Sequence, residues 1–210
     1  IERIRYTSPY PRDFRDDLVE AIRDVPEVME HVHLPIQSGD DDMLREMKRV
    51  YTLDSFLEIV GRLRGAIPNL GLTTDVIVGF PGETERQFLN TVEAFRTIRF
   101  DNAYMFAYST RPGTPAGDRD DQVPQEEKMR RLNHLIAVQN EIVDERNRAQ
   151  VGTEVEVLVE GPSEKNPAMM RGYSREFRMV HFPAAESRTG RLARLRVTEA
   201  KRWGLLAEPV

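Results

Sequence analysis

Apolar positions recur with helical spacing in some stretches and with a period of two in others, and the two patterns predict two kinds of structure in succession. The clearest buried strand is Leu72–Val78: Val76, Ile77 and Val78 are consecutive, β-branched and flanked by turn residues, as in a parallel-sheet strand covered on both faces. After it, Gly79 and Gly82 bracket Phe80-Pro81, and Thr84 stands three residues before Gln87, the capping-box spacing of a helix that runs to Ile98. Upstream, Ile1–Ser8 alternates and predicts a strand ended by Pro9 and Pro11. Asp13 then caps a helix to about Val25 with Phe14, Leu18, Val19 and Ile22 on one face. Val32–Leu34 predicts a short strand, and Asp40–Met47 and Thr52–Ala66 two helices. The second of these carries Phe56, Leu57, Val60, Leu63 and Arg64 at helical spacing and stops at Pro68-Asn69. Asn102–Tyr108 predicts a fourth strand.

Four strands separated by helices, with no hairpin signal among them, predict a parallel sheet with right-handed crossovers. A closed (β/α) barrel takes about eight such units, so half of one is expected here. No turn or cap precedes Ile1, which makes the expectation a sequence that opens inside a larger domain. Pro124 to about Ala149 predicts a long helix with an apolar stripe of Met129, Leu132, Leu135, Ile136, Ile142 and Val143. From Val151 the pattern changes. Glu154–Glu160 alternates, Gly161-Pro162 turns, and strands are expected at Met169–Tyr173, Arg178–Phe182, Leu192–Thr198 and Trp203–Ala207. Short strands this close predict a small β-barrel of the oligonucleotide-binding sort. The expected class is α/β, a partial (β/α) barrel over residues 1–150 followed by a small all-β barrel over residues 151–210.

Composition narrows the function classes. With 210 residues, 40% hydrophobic and 31% charged, the chain suits one medium domain and a small one. No apolar run approaches the roughly 20 residues that cross a bilayer, and no basic-then-apolar leader opens at Ile1, so a cytoplasmic protein with no membrane partner is expected. Cysteine is absent, which excludes disulfides, thiolate metal sites and thiol catalysis. The net charge of −5 hides an asymmetry: from Lys165 to Arg202 ten Lys and Arg stand against three acids, a local +7. Such a segment suits a polyanion partner or a solvated charged face.

Candidate chemistry gathers at three places. The Gly79–Glu83 loop could bring bare backbone against a ligand at the carboxyl end of its strand, or be a plain βα turn. His31 and His33 share one strand face, but no third ligand accompanies them; packed or solvated histidines are expected and no metal. Trp203, beside Lys201 and Arg202, is either a stacking platform for a base or a plug for the small barrel.

Three motifs in order, His33-Leu-Pro-Ile-Gln-Ser-Gly39, Val78-Gly-Phe-Pro-Gly-Glu-Thr84 and Tyr108-Ser-Thr-Arg-Pro-Gly-Thr-Pro115, resemble the methylthiotransferase branch of the radical S-adenosylmethionine enzymes. The tail resembles a TRAM domain, an RNA-binding barrel, through Val157-Leu-Val-Glu-Gly-Pro-Ser163, Lys165-Asn-Pro167 and Val197-Thr-Glu-Ala-Lys-Arg-Trp203. The resemblance implies S-adenosylmethionine at the carboxyl edge of the sheet. Gln37 and Ser38 would bond its ribose or amino-acid part, Val78, Gly79 and the loop to Glu83 would offer backbone, and Phe106 and Tyr108 an apolar wall. On this reading Gly79→Val hinders the cofactor more than the fold. It also implies [4Fe-4S] clusters held by cysteines on a missing amino-terminal part of the same enzyme, since thiolates are what cluster irons take and this chain has none. Pro35-Ile-Gln-Ser-Gly39 and Ser109-Thr-Arg-Pro-Gly-Thr114 look more like the type that methylthiolates C2 of an N6-isopentenyladenosine near a tRNA anticodon than the type acting on a ribosomal-protein aspartate. A non-catalytic RNA-binding module is the alternative from a different class. The expected tRNA contacts are Lys165, Arg171, Arg175, Arg178, Lys201, Arg202 and Trp203, with Arg175 and Arg178 taken as exposed.

Overall fold

The computed structural model describes residues 1–7, 10–11, 14–184 and 189–210. Helix α1 (Asp16–Asp24) leads into β1 (His31–His33); α2 (Asp41–Glu46) and α3 (Leu53–Ala66) cross over to β2 (Gly71–Val78), and α4 (Glu85–Ile98) crosses to β3 (Asn102–Ala107). The three strands pair in parallel in the order β1-β2-β3. One face of the sheet, with Val32, Leu34, Leu72, Val76 and Val78, shares a core with Phe56 and Leu63 of α3 and Phe88 and Phe95 of α4. Each crossover starts at a satisfied cap. Asp40 Oδ1 accepts from Asp42 N and Met43 N at 3.0 and 3.1 Å, and Thr52/Ser55 and Thr84/Gln87 close reciprocal boxes.

The expected first strand does not form among the described residues. Ile4 makes one parallel bridge to Val28, its N–H donating to Glu27 O at 2.7 Å and its carbonyl accepting from Met29 N at 3.0 Å. The residues on either side are spent elsewhere: Arg3 donates to Tyr173 O and Glu156 Oε1, and Arg5 lies over the Phe177 ring. The sheet therefore has three strands where four were expected. Ser8, Pro9 and Asp13, the expected strand end and helix cap, lie outside the described residues.

Helix α5 (Gln125–Arg148) also departs from its expected stripe. Met129 is 39% exposed, and the buried face holds Leu135, Val138 and Ile142 together with Lys128, Arg131, Gln139 and Asn147. Three of these polar residues meet fixed partners: Arg131 takes Glu83, Gln139 Nε2 donates to Phe100 O, and Asn147 Nδ2 donates to Lys201 O. Apolar periodicity cannot register such positions.

Beyond α5 the chain closes into a barrel. Strands β4 (Glu154–Pro162), β5 (Met169–Ser174), β6 (Met179–Pro183), β7 (Leu192–Lys201) and β8 (Gly204–Pro209) pair in the order β4-β5-β6-β8-β7. Alternate residues point inward, so Val155, Val157, Val159, Val180, Phe182, Leu195, Val197 and Leu205 fill the interior. The barrel docks on the amino ends of the parallel strands. Gly71, which opens β2, has no room for a side chain, since a Cβ there would lie 2.1 Å from Glu176 O of the β5–β6 turn. Asp101, just ahead of β3, accepts from Leu72 N at 2.9 Å and from Arg146 Nε at 2.6 Å, and pairs with Arg178 of the barrel. Arg178 also donates to Asn147 Oδ1, while Arg175 Nε reaches Glu30 at 2.6 Å and its Nη2 the carbonyls of Pro26 and Val28.

Truncation of Asp101 to Ala leaves Arg178 and Arg146 without their shared carboxylate, and breaking a buried pair in this way costs about 3–5 kcal/mol; the urea midpoint should fall accordingly, and an unchanged midpoint would show the cluster to be idle. His31 gives a pH dependence. It is buried against Phe177, with Nε2 3.0 Å from Thr73 Oγ1. Burial, with Arg5 and His33 nearby, pulls its imidazole from 6.5 down to about 3. The unfolded chain therefore binds this proton first, so the stability present above pH 6.5 is lost as pH falls toward about 3, by up to about 1.4 kcal/mol per unit. His31→Gln should flatten that slope in urea titrations run across the same range.

Candidate functional site

The carboxyl ends of the strands open on a crevice in two adjoining parts. One, about 440 Å³, is lined by Gln37, Met47, Lys48, Arg49, Phe80 and Arg119. The other, about 560 Å³, is lined by Phe106, Tyr108, Ser109 and Arg111, and Ile77, Thr114 and Ala116 border both. Gln37 is held where β1 would continue: its N–H donates to Asp75 O and its carbonyl accepts from Ile77 N, with φ at 62°. Tyr108 N donates to Val78 O at 2.9 Å and its ring stands edge-on to Phe80 at 5.0 Å. Gln37 lines the first part, and Phe106 and Tyr108 line the second.

The glycine loop is put to another use. Gly79 N donates to Glu83 Oε2 at 2.6 Å, and Arg131 donates to the same oxygen and to Glu83 O, both at 2.8 Å. Burial holds the Glu83 carboxyl above its usual range despite those bonds. Gly79 and Glu83 therefore bond one another, and Glu83 staples the loop to α5 through Arg131, while the Val78 carbonyl is taken by Tyr108 N. Gly79 has φ of 70°, and a Cβ there would meet Lys128 Cγ at 2.4 Å. The expected close approach at Gly79 is to a lysine stem of the same chain. Ser38 is wholly buried, its Oγ 3.3 Å from Thr91 Oγ1 and accepting from Asp40 N, so it braces the start of α2 and lines neither part of the crevice. Arg49 and Thr114 were not singled out from the sequence, although Thr114 stands inside the third motif. Among the described residues the buried Nε of Arg49 has no hydrogen-bond partner. A cationic donor, an amide and an aromatic wall fit a small zwitterion carrying an aromatic base. No residue here fits an iron–sulfur cluster, because the chain has no thiolate.

The basic segment divides in two. Lys165, Arg171 and Trp203 come together on the barrel, around a groove of about 620 Å³ floored by Met169, Met179 and Leu206. Trp203 is 58% exposed and edge-on to His181 at 4.9 Å, so it does not plug the barrel; Phe182 and Leu205 do. Burial and the nearby Arg171 pull His181 below its ordinary range. Arg178 is buried and Arg175 is largely enclosed, so the expectation that both are exposed fails: each is a strut between barrel and sheet. Lys201 pairs with Glu199, and Arg202 with Asp144 at 2.7 Å. Much of the local positive charge is neutralised in place.

A radical SAM superfamily model matches residues 1–95, and a TRAM domain model matches residues 148–210. The chain joins a radical SAM domain to a TRAM domain. It is 46% identical to the tRNA-2-methylthio-N(6)-dimethylallyladenosine synthase of Geobacillus thermodenitrificans over 99% of its own length and 40% of that protein, and to the Bacillus cytotoxicus protein of the same name over 100% and 41%. The chain thus spans about 40% of the length of these curated relatives. Coproporphyrinogen III oxidase from Escherichia coli, a radical SAM enzyme, superposes on 79% of the chain and 45% of its own with a TM-score of 0.54 at 14% identity, a likeness of fold alone. Among the described residues no helix is long and apolar enough to cross a membrane.

In the radical SAM domain, Gly79→Ala forces an L residue to positive φ and drives its Cβ into Lys128. It should cost about 1–3 kcal/mol of folding stability, read as a lowered melting temperature. Unchanged melting with weakened S-adenosylmethionine binding would return the loop to direct cofactor contact.

Proposed function

We propose that this chain works as the carboxyl-terminal part of a cytoplasmic tRNA methylthiotransferase, one that methylthiolates C2 of an N6-isopentenyladenosine near the anticodon. The observation that carries the reading is the end-to-end match, at 46% identity, to proteins named as synthases of that nucleoside. The crevice and the barrel groove support it, because they supply the two surfaces such a reaction needs on one rigid frame. Residues 1–150 are assigned to the cofactor half and residues 151–210 to the RNA half. Gln37, Phe106 and Tyr108 hold S-adenosylmethionine, Arg49 meets its carboxylate, and the Glu83–Arg131 staple keeps the loop behind it rigid. Held there, S-adenosylmethionine would supply radical chemistry at C2 together with a [4Fe-4S] cluster that the residues of this chain do not hold. The cysteines for that cluster belong to the amino-terminal part of the same enzyme, which is this chain's first partner; tRNA is the second. Lys165 and Arg171 take phosphates beside the groove, and Trp203 stacks on a base.

Two measurements test this. The 210-residue chain should bind tRNA at low salt and lose affinity steeply as salt rises, and Lys165→Glu with Arg171→Glu should reduce the log–log salt slope by about 1 to 2. Arg175→Glu with Arg178→Glu should instead lower the melting temperature. The chain alone should release no 5′-deoxyadenosine from S-adenosylmethionine under reducing conditions. Failure to bind tRNA would sink the RNA half of the reading, and turnover by the chain alone would sink the cofactor half.

A further inference from the structure

One face of the parallel sheet is packed against helices; the other is open and chemically specific. Residues paired across parallel strands point the same way, and the register places His33, Thr73 and Asn102 together, then Asp75 beside Tyr104, then Ile77 beside Phe106. Tyr104 is 45% and Phe106 53% exposed on β3, the edge strand of the sheet. Asp75 is held from behind: its Oδ2 lies 3.3 Å from His33 Nε2, whose Nδ1 is 2.9 Å from Thr73 Oγ1, and the His33 ring stands edge-on to Tyr104 at 5.9 Å. A carboxylate with one oxygen beside a buried imidazole thus sits next to an exposed ring.

The two surfaces already described are joined through this face. Trp203 lines the barrel groove and also a cleft between barrel and sheet lined by Thr73, Asn102, Tyr104 and Tyr173. From Asn102, in that cleft, to Phe106, at the crevice, β3 climbs about 13 Å. Trp203, Tyr104 and Phe106 are successive aromatic steps along the way, and Asp75 is the acid on the middle step.

Resting on the function proposed above, we propose that Asp75 and Tyr104 are the base-reading pair of the open face. An N6-alkylated adenine stacks on the Tyr104 ring and gives its one remaining N6–H to the Asp75 carboxylate. His33 is a positioning residue that keeps the carboxylate turned toward the base. A carboxylate accepts and does not donate, so the pair admits a base that presents an N–H at this edge and rejects one that presents an acceptor.

The full-length protein carrying this chain, bound to anticodon stem-loops without turnover, tests the pairing. One stem-loop carries an N6-alkyladenine at the target position; the other carries a 6-alkoxypurine of the same shape, with oxygen in place of the N–H. The native protein should bind the first about tenfold more tightly, the scale of one hydrogen bond to a charged group. Asp75→Ala should bind both alike with its melting temperature preserved, because Asp75 is partly exposed and its removal opens no core. Tyr104→Leu should weaken both equally, and Tyr104→Phe should restore them. A native protein that binds both stem-loops equally, or an Asp75→Ala variant that keeps the preference, overturns the inference and leaves tRNA binding intact. Failure of the native protein to bind either stem-loop overturns the proposed function and the inference with it.

Discussion

A single buried carboxylate brings the parts of this molecule together. Asp101 accepts from the backbone of Leu72 at the start of β2, from Arg146 of α5 and from Arg178 of the barrel. A buried charge without partners costs several kcal/mol. The carboxylate is therefore tolerable inside only when strand, helix and barrel all deliver their donors, so docking of the barrel is tied to correct assembly of the sheet. Gly71 sharpens the requirement, since the β5–β6 turn occupies the space its side chain would need. The barrel is consequently rigid on the amino ends of the strands, while the crevice lies at their carboxyl ends.

The same economy shapes the crevice. The polar groups of the Gly79–Glu83 loop bond one another and Arg131, and Ser38 braces Thr91 and Asp40. What remains free to meet a ligand is contributed by side chains that look inward from their neighbours: Gln37, Arg49, Phe106 and Tyr108. The loop is a scaffold whose stiffness comes from positive-φ glycines and one buried acid, and rigid support of this kind is what holds a small group of contact residues in register.

The basic segment shows why charge counted along a chain overstates charge presented to a partner. Arg171, Arg175, Arg178, Lys201 and Arg202 each have an acid within reach, and three of those acids, Glu30, Asp101 and Asp144, come from the other half of the molecule. At the groove around Trp203 an aromatic face, a lysine and a partly paired arginine converge.

Local pattern was enough for everything governed by neighbours within a few residues. Consecutive β-branched residues at Val76–Val78, the Thr84/Gln87 box, the acid cap of α2 and the alternation through Val155, Val157 and Val159 determine their elements by near-neighbour sterics and burial. Tertiary structure alone decided which polar groups would be spent. The failure of Ile1–Thr7 to form a strand of the sheet, the polar buried face of α5, the bonds of Ser38 to Thr91 and of Glu83 to Arg131, the struts at Arg175 and Arg178 and the exposure of Trp203 and Tyr104 all turn on partners more than 20 residues away. An ion pair or an exposed ring leaves no periodicity in sequence, because its energy depends on which distant atom happens to stand opposite it.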